Sequence, residues 1–166
     1  MPGSRADFAV PLALDVLARG ESLWVREASP SMLPLIQPGD ELRLAPFDAR
    51  QIGGGSVIAY ERGARLVIHR VLAASGSGVV AKGDALASPD PLVPWDLVVA
   101  RVVALRRPDG RRVDLDAFPW PPVNRLLARV AALAGRLRLD DAPSLARRLA
   151  WKALRAPIYL VRLLAR

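Results

Sequence analysis

Short runs of alternating apolar and polar residues fill most of the chain between Leu23 and Leu115. Turn residues such as PGD, GGG, SGSG and PDG separate these runs. Because successive side chains of a β-strand point to opposite faces of a sheet, this pattern predicts many short strands. We therefore expect a mainly β domain, built as a small barrel or an orthogonal sandwich. The predicted strands are LWVREA, ELRLAP, SVIAY, RLVIHRVLA, GVVAKGD, DLVVARVVALRR and VDL.

Different patterns flank the β-rich region. Residues 8–18 are apolar but short and carry one aspartate, which predicts a helix packed on the domain rather than a membrane span or a signal peptide. At the other end, the prolines of FPWPP at 118–122 interrupt both strand and helix. Beyond this break, the spacing of Leu, Ala and Arg predicts helices at about 123–138 and 143–155.

The charged residues divide the chain at the same place. Residues 1–118 hold 14 Lys+Arg and 14 Asp+Glu, whereas residues 119–166 hold 10 and 2. The whole net charge of +8 therefore lies in the last third of the chain. This predicts a β domain over residues 1–118 and a basic helical extension over residues 119–166.

Composition excludes several kinds of chemistry. The chain of 166 residues has no cysteine, which excludes disulfides, thiol nucleophiles and zinc–thiolate sites. It has one histidine, which excludes a multi-histidine metal centre. We therefore predict no metal and no cofactor. Because residues 8–18 do not have the pattern of a signal peptide, we also expect the mature chain to start near Met1 and to stay in the cytoplasm.

Three segments carry side chains with catalytic potential: SPSMLP at 29–34, VIHRV at 67–71 and KGDALASPD at 82–90. In an extended chain, Ser29 and Ser31 lie on one side, so one hydroxyl could attack a carbonyl while the other helps hold the oxyanion. Taken singly, each segment has an ordinary structural explanation, as a serine-rich turn, a packed histidine or a turn aspartate.

Together and in this order, across residues 29–104, the segments resemble the signal peptidase family. The resemblance implies that Ser31 is the nucleophile and that the Ser29 hydroxyl supports the oxyanion. The HRV run is similar to the archaeal and endoplasmic-reticulum branch, in which a histidine replaces the lysine base of the bacterial enzymes. It implies that His69 is the general base and Asp90 the third catalytic residue.

The same resemblance implies the roles of neighbouring residues and the activity. Asp84 is expected to fix the turn behind the site, and Met32 to line the substrate groove. The chain departs from the family at Ser56, where an aspartate is usual, and no stretch of these residues is expected to form the membrane anchor that the family normally carries. The implied function is a serine endopeptidase that cleaves a peptide or precursor protein by acyl transfer. Small residues are expected on both sides of the cut.

Two alternatives remain open at the site. Only two lysines occur, Lys82 and Lys152, and the central strand where relatives place a lysine base carries His69 instead. A Ser/Lys dyad would therefore have to use Lys82. The second alternative is a catalytically silent member of the same fold that binds a peptide or forms a scaffold at a membrane surface.

The basic tail predicts a second partner. On a helical wheel, five basic residues fall within about 80° beside a broad apolar face, as in helices that lie in a membrane interface. Two interpretations stay open: contact with an anionic membrane surface on the cytoplasmic side, and helices packed on the β domain with solvated arginines. Nucleic acid is disfavoured because too few residues precede Ser29 for a DNA-binding domain. The five residues are Arg148, Lys152, Arg155, Arg162 and Arg166.

Overall fold

The computed structural model describes residues 5–63 and 65–136, which form eight strands between two helices. This confirms the mainly β class. The predicted helix at 143–155 and the basic residues from Arg148 to Arg166 lie outside the described residues. The elements are α1 (Arg5–Ala18), β1 (Leu23–Arg26), β2 (Glu41–Ala45), β3 (Val57–Arg62), β4 (Arg65–Ser75), β5 (Gly78–Lys82), β6 (Val93–Pro94), β7 (Val98–Arg106), β8 (Arg112–Asp114) and α2 (Trp120–Arg136), with short 3-10 helices at Ala49–Gln51 and Trp95–Leu97.

All eight strands belong to one antiparallel sheet in the order β1-β2-β7-β3-β4-β5-β6, and β8 pairs with β7 beside this path. Within the described part of the chain the edge strands β1 and β6 do not pair with each other, so these strands form an open sheet. The central positions go to β7, β3 and β4. Of these, β3 and β4 are consecutive in the sequence, whereas β7 comes from further along the chain.

Both faces of the central strands are buried. On β3, Val57 and Ala59 belong to one hydrophobic cluster, whereas Ile58 and Tyr60 belong to a second one. Because side chains alternate along a strand, the two clusters lie on opposite faces of the sheet. A polar side chain in the middle of β4, such as His69 or Arg70, is therefore held in the interior of the protein.

The N-terminal helix is confirmed, since α1 covers the predicted segment and buries Ala13 and Leu17. Neither described helix is sufficiently long and apolar to cross a lipid bilayer.

The second helix, α2, begins at Trp120, a few residues before the predicted start. Pro121 and Pro122 occupy its first turn, where a helix needs no backbone donors, so these prolines start the helix rather than prevent it. The helix packs against β4, and its backbone passes so close to Gly55 that a Cβ there would lie 2.8 Å from the Arg125 nitrogen. Gly55 also has a φ of +104°, which favours glycine.

Candidate active site

The centre of the candidate site is His69, which β4 holds in the interior with 3% of its surface exposed. Pairing with Ile58 on β3 turns its ring toward the second hydrophobic cluster, where it meets the edge of Tyr60 at 6.1 Å between ring centroids. Its Nδ1 lies 2.5 Å from Oδ2 of Asp90. The loop between β5 and β6 brings Asp90 there, and the Asp90 amide donates to the carbonyl of Ala81 at 2.8 Å.

Asp90 also has a cationic partner. One nitrogen of Arg62, Nη2, donates to Oδ1 of Asp90 at 2.7 Å and to the hydroxyl of Tyr60 at 2.6 Å. Burial alone would raise the pKa of Asp90, but the hydrogen bonds from His69 and Arg62 outweigh it and leave that pKa below its usual value. An ionised Asp90 accepts the Nδ1 proton of His69, which leaves Nε2 as the basic nitrogen.

The phenol of Tyr60 stays protonated beside this carboxylate. Burial raises the pKa of Tyr60 well above its usual value, and the negative charge of Asp90 adds to the effect. Tyr60 therefore acts as a neutral wall of the site and does not compete with His69 for protons.

Nε2 of His69 lies against the loop between β5 and β6, beside Gly83. A Cβ at Gly83 would come within 2.9 Å of Nε2 and within 2.9 Å of the Leu86 side chain. Only a residue without a side chain fits there unless the ring or Leu86 moves. Leu86 is 40% exposed, so it forms an apolar rim beside the basic nitrogen.

The same loop contacts Ser31. The amide of Ala85 donates to the carbonyl of Ser31 at 2.8 Å, two residues after Gly83 touches the His69 ring. The loop between β5 and β6 therefore brings the serine backbone and the imidazole to one place. No hydrogen bond joins the Ser31 hydroxyl to His69 among the residues described, which is compatible with the loose geometry common in unliganded sites.

Ser29 and Ser31 are bonded to each other in a way that the sequence did not predict. The amide of Ser31 donates to Oγ of Ser29 at 3.0 Å. Ser29 keeps its own O–H as a donor, whereas the Ser31 amide, a second group that could donate to an oxyanion, already has a partner. For both groups to hold an oxyanion, this bond has to open.

A buried carboxylate holds the serine turn from behind. Oε1 of Glu27 accepts the Ser29 amide at 2.6 Å, and Glu27 is 8% exposed. Burial raises the pKa of Glu27, and the amides of Ser29 and Ala28 only partly offset this. Glu27 therefore fixes the position of Ser29 at the end of β1.

Asp84 lies behind the site and contacts Arg70 instead of His69. Its two oxygens accept from Nε and Nη2 of Arg70 at 2.8 and 2.7 Å, and Arg70 is 0% exposed. Nη1 of the same arginine donates to the Gly55 carbonyl at 3.1 Å and to Oδ1 of Asn124 on α2 at 2.8 Å. Asp84 thus ties the active-site loop to β4 and to the C-terminal helix.

Met32 is placed differently from the sequence-based expectation. It is 0% exposed and belongs to the first hydrophobic cluster, so it anchors the serine turn from inside and is not available to line an open groove. Leu33, which follows Met32 in the serine turn, is 37% exposed, and Leu86 beside Nε2 is 40% exposed.

Lys82, the alternative base, is buried at the end of β5. It pairs in register with Arg70, so the two side chains share one face of the sheet. His69 precedes Arg70 on β4 and points to the opposite face. The two candidate bases therefore lie on different faces of the sheet.

Sequence reasoning missed four residues around the site: Glu27, Tyr60, Arg62 and Asn124. Tyr60 shows a weak signal as the last residue of the predicted strand SVIAY, whereas Arg62 lies beyond that strand and joins it only in the observed β3. Their place beside His69 depends on the register between β3 and β4, which a single sequence does not give.

Comparison with protein-family models, with curated proteins and with solved structures found no match to this chain. The chemistry of the site is therefore inferred from its own geometry, together with the motif resemblance described above.

Proposed function

We propose that this protein is a serine endopeptidase in which Ser31 is the nucleophile, His69 the general base and Asp90 the residue that orients the imidazole. The observation that carries the proposal is the buried hydrogen bond from His69 to Asp90. Nε2 of the same histidine lies against the loop between β5 and β6, which also binds the Ser31 backbone. A buried imidazole paired in this way has one nitrogen fixed as a donor and the other left basic.

In the proposed reaction, Nε2 of His69 removes the Ser31 proton as Oγ attacks the scissile carbonyl carbon. The carbonyl π bond breaks, and the negative oxygen is held by the Ser29 hydroxyl and the Ser31 amide, once the bond between these two groups opens. The imidazolium, stabilised by Asp90, gives its proton to the leaving amine. Water, activated by the neutral imidazole, then hydrolyses the acyl-enzyme and restores Ser31.

The proposed substrate is a peptide or precursor protein bound in an extended conformation. The resemblance to signal peptidases implies small residues beside the cut and, at a finer level than the mainly β class, a signal-peptidase-like arrangement of the strands. Leu33 and Leu86 are exposed near Ser31 and His69, and they support apolar contacts to the substrate.

The proposed location is the cytoplasm, on the inner face of the membrane. The basic tail supports this location, because its sequence combines basic and apolar stripes. The proteolytic reaction itself requires no membrane.

A serine-directed activity probe tests the proposal on the full-length protein. We expect labelling of the wild type that disappears in Ser31→Ala and falls strongly in His69→Ala. Ser88, an exposed serine in the loop between β5 and β6, supplies the control, and Ser88→Ala should label like the wild type. Labelling that persists in Ser31→Ala would reject Ser31 as the nucleophile.

A peptide-library digest, analysed by mass spectrometry, tests whether the protein cleaves peptides. Cleavage that depends on Ser31 supports the peptidase. The absence of both labelling and cleavage, with peptide binding retained, supports instead the silent binding module.

A further inference from the structure

Helix α2 has one buried face and one exposed face. Trp120, Leu127 and Ala128 are buried against the sheet, and Asn124 bonds to Arg70 on the same side. The exposed residues recur at helical spacing and fall within an arc of about 100°. They are Pro122, Arg125, Leu126, Arg129 and Leu133.

This exposed stripe is both apolar and cationic. Leu126 is 53% exposed and Leu133 51%, and Phe118, two residues before the helix, is 88% exposed. These three have the largest exposed fractions of the large apolar side chains that the structure describes. Arg125 and Arg129 lie on the same stripe, and the sequence of α2 contains neither Asp nor Glu.

The chemistry of the stripe selects its partner. A partner of this stripe has to cover the exposed leucines and to neutralise two arginines, because α2 itself supplies no carboxylate. Such a partner is both apolar and anionic. The tail of this chain fits poorly, because residues 137–166 hold 7 Lys+Arg and 2 Asp+Glu. A second copy fits poorly as well, because a two-fold contact through this stripe would bring arginines against arginines.

We propose that the face formed by Arg125, Leu126, Arg129 and Leu133, here called the α2 face, docks on an anionic lipid bilayer, with the exposed Phe118 before the helix as an additional apolar contact. The apolar side chains enter the interface, and the arginines stay at the level of the lipid phosphates. This deepens the peripheral location proposed above by naming the surface that makes the contact. It does not depend on the proteolytic reaction, since none of the five residues belongs to the active site.

Vesicle binding of the full-length protein tests the proposal. Vesicles of phosphatidylcholine alone are compared with an equimolar mixture of phosphatidylcholine and phosphatidylglycerol, by co-flotation. We expect binding to the mixed vesicles only, weakened by salt because surface charges are screened. Removing one arginine, in Arg125→Gln or Arg129→Gln, should weaken binding roughly fivefold.

The apolar contribution is tested with a double variant and a matched control. Leu126→Glu with Leu133→Glu should weaken binding by roughly tenfold or more, because two side chains no longer enter the interface. Leu92→Glu with Leu97→Glu changes two comparably exposed leucines, 49% and 39%, in a pocket near Tyr60. This control should bind like the wild type.

Three results would overturn the proposal. The first is equal binding by the α2-face double variant and the wild type, which would assign any lipid contact to the tail. The second is wild-type protein that binds neither kind of vesicle. The third is a wild-type dimer that the double variant converts to a monomer without a change in lipid binding, which would assign the face to a second copy. Serine-probe labelling of each variant reports separately on the active site.

Discussion

Nδ1 of His69 and Oδ2 of Asp90 lie 2.5 Å apart, although 21 positions separate the two residues in the chain. Both side chains are nearly buried, with 4% and 7% of their surface exposed. An imidazole and a carboxylate in such a place are stabilised by each other, since either one alone would be a costly buried polar group. The pair therefore fixes which imidazole nitrogen is available for chemistry.

The first prediction concerns the role of Asp90. Asp90→Asn keeps the size of the side chain but removes the charge that holds the Nδ1 proton, so we expect turnover to fall by roughly 10³–10⁴. Steady-state kinetics of folded protein, checked by circular dichroism, measures the effect.

A matched control separates this role from general packing. Arg62→Gln removes the other partner of Asp90 from a side chain that is 52% exposed, and it should lower turnover much less. Equal losses in the two variants would contradict the special role of the His69–Asp90 pair.

The second prediction concerns acid stability, where two buried carboxyls act in opposite directions. Folding lowers the pKa of Asp90 below its usual 3.8, so the unfolded chain binds the Asp90 proton first. Asp90 therefore contributes stability that is complete above about pH 4 and is lost as the pH falls through its folded pKa. Asp90→Asn should thus lose less unfolding free energy than the wild type on acidification.

The contribution of Glu27 to stability changes with pH in the opposite direction. Its pKa is raised by folding above the usual 4.5, mainly by burial, so the folded chain binds its proton first. Its contribution is complete below about pH 4.5 and is lost as the pH rises through its folded pKa. Glu27→Gln should therefore lose more unfolding free energy than the wild type on acidification. Urea unfolding at neutral and acid pH measures both variants, and changes of the same sign would refute the assignment.

Part of this architecture follows from local sequence. The apolar run RLVIHRVLA predicts the strand that carries His69, and the turn residues on either side predict where the strand ends. The mainly β class and the helix before β1 follow from the same kind of pattern. These predictions succeed because they depend on neighbours within a few residues.

The features that were predicted wrongly or missed from the sequence depend on contacts between distant residues. The turn chemistry of SPSMLP does not show that Met32 inserts into the core, because burial there depends on the sheet that covers it. The partnership of Arg70 with Asn124 joins residues 54 positions apart, and no periodicity points to it. The prolines at 118–122 mark a turn into α2, but a single sequence does not show that the helix after them packs back on β4.

The third prediction concerns the space beside Nε2. Gly83 does not have a positive φ, so Gly83→Ala is acceptable to the backbone. Its new Cβ would still meet Nε2 of His69 and the Leu86 side chain at 2.9 Å, which forces a small shift of the ring or the loop. We expect turnover to fall by roughly 10–10², because a displaced base transfers protons poorly.

Gly76→Ala is the matched control for that variant. Gly76 lies in the turn between β4 and β5, where an added Cβ meets nothing within 4 Å. It should leave both turnover and thermal stability unchanged. If Gly83→Ala behaved like Gly76→Ala in turnover, Nε2 would not be the nitrogen that reacts.

The fourth prediction concerns the link between α2 and the active-site loop. Asn124→Leu removes one of the two acceptors for Nη1 of the buried Arg70, and we expect a loss of about 2 kcal/mol in unfolding free energy. Because Arg70 also holds Asp84, the loop that carries Gly83 should loosen, and serine-probe labelling of Ser31 should slow.

Asn124→Asp keeps an acceptor oxygen and should recover most of the labelling rate, whereas a purely structural role would leave that rate unchanged in both variants. Arg125→Ala, at the exposed neighbouring position, should change stability by no more than about 0.5 kcal/mol. A separate unfolding transition for α2 in the wild type would contradict the link, because it would show that the helix and the β domain do not stabilise each other.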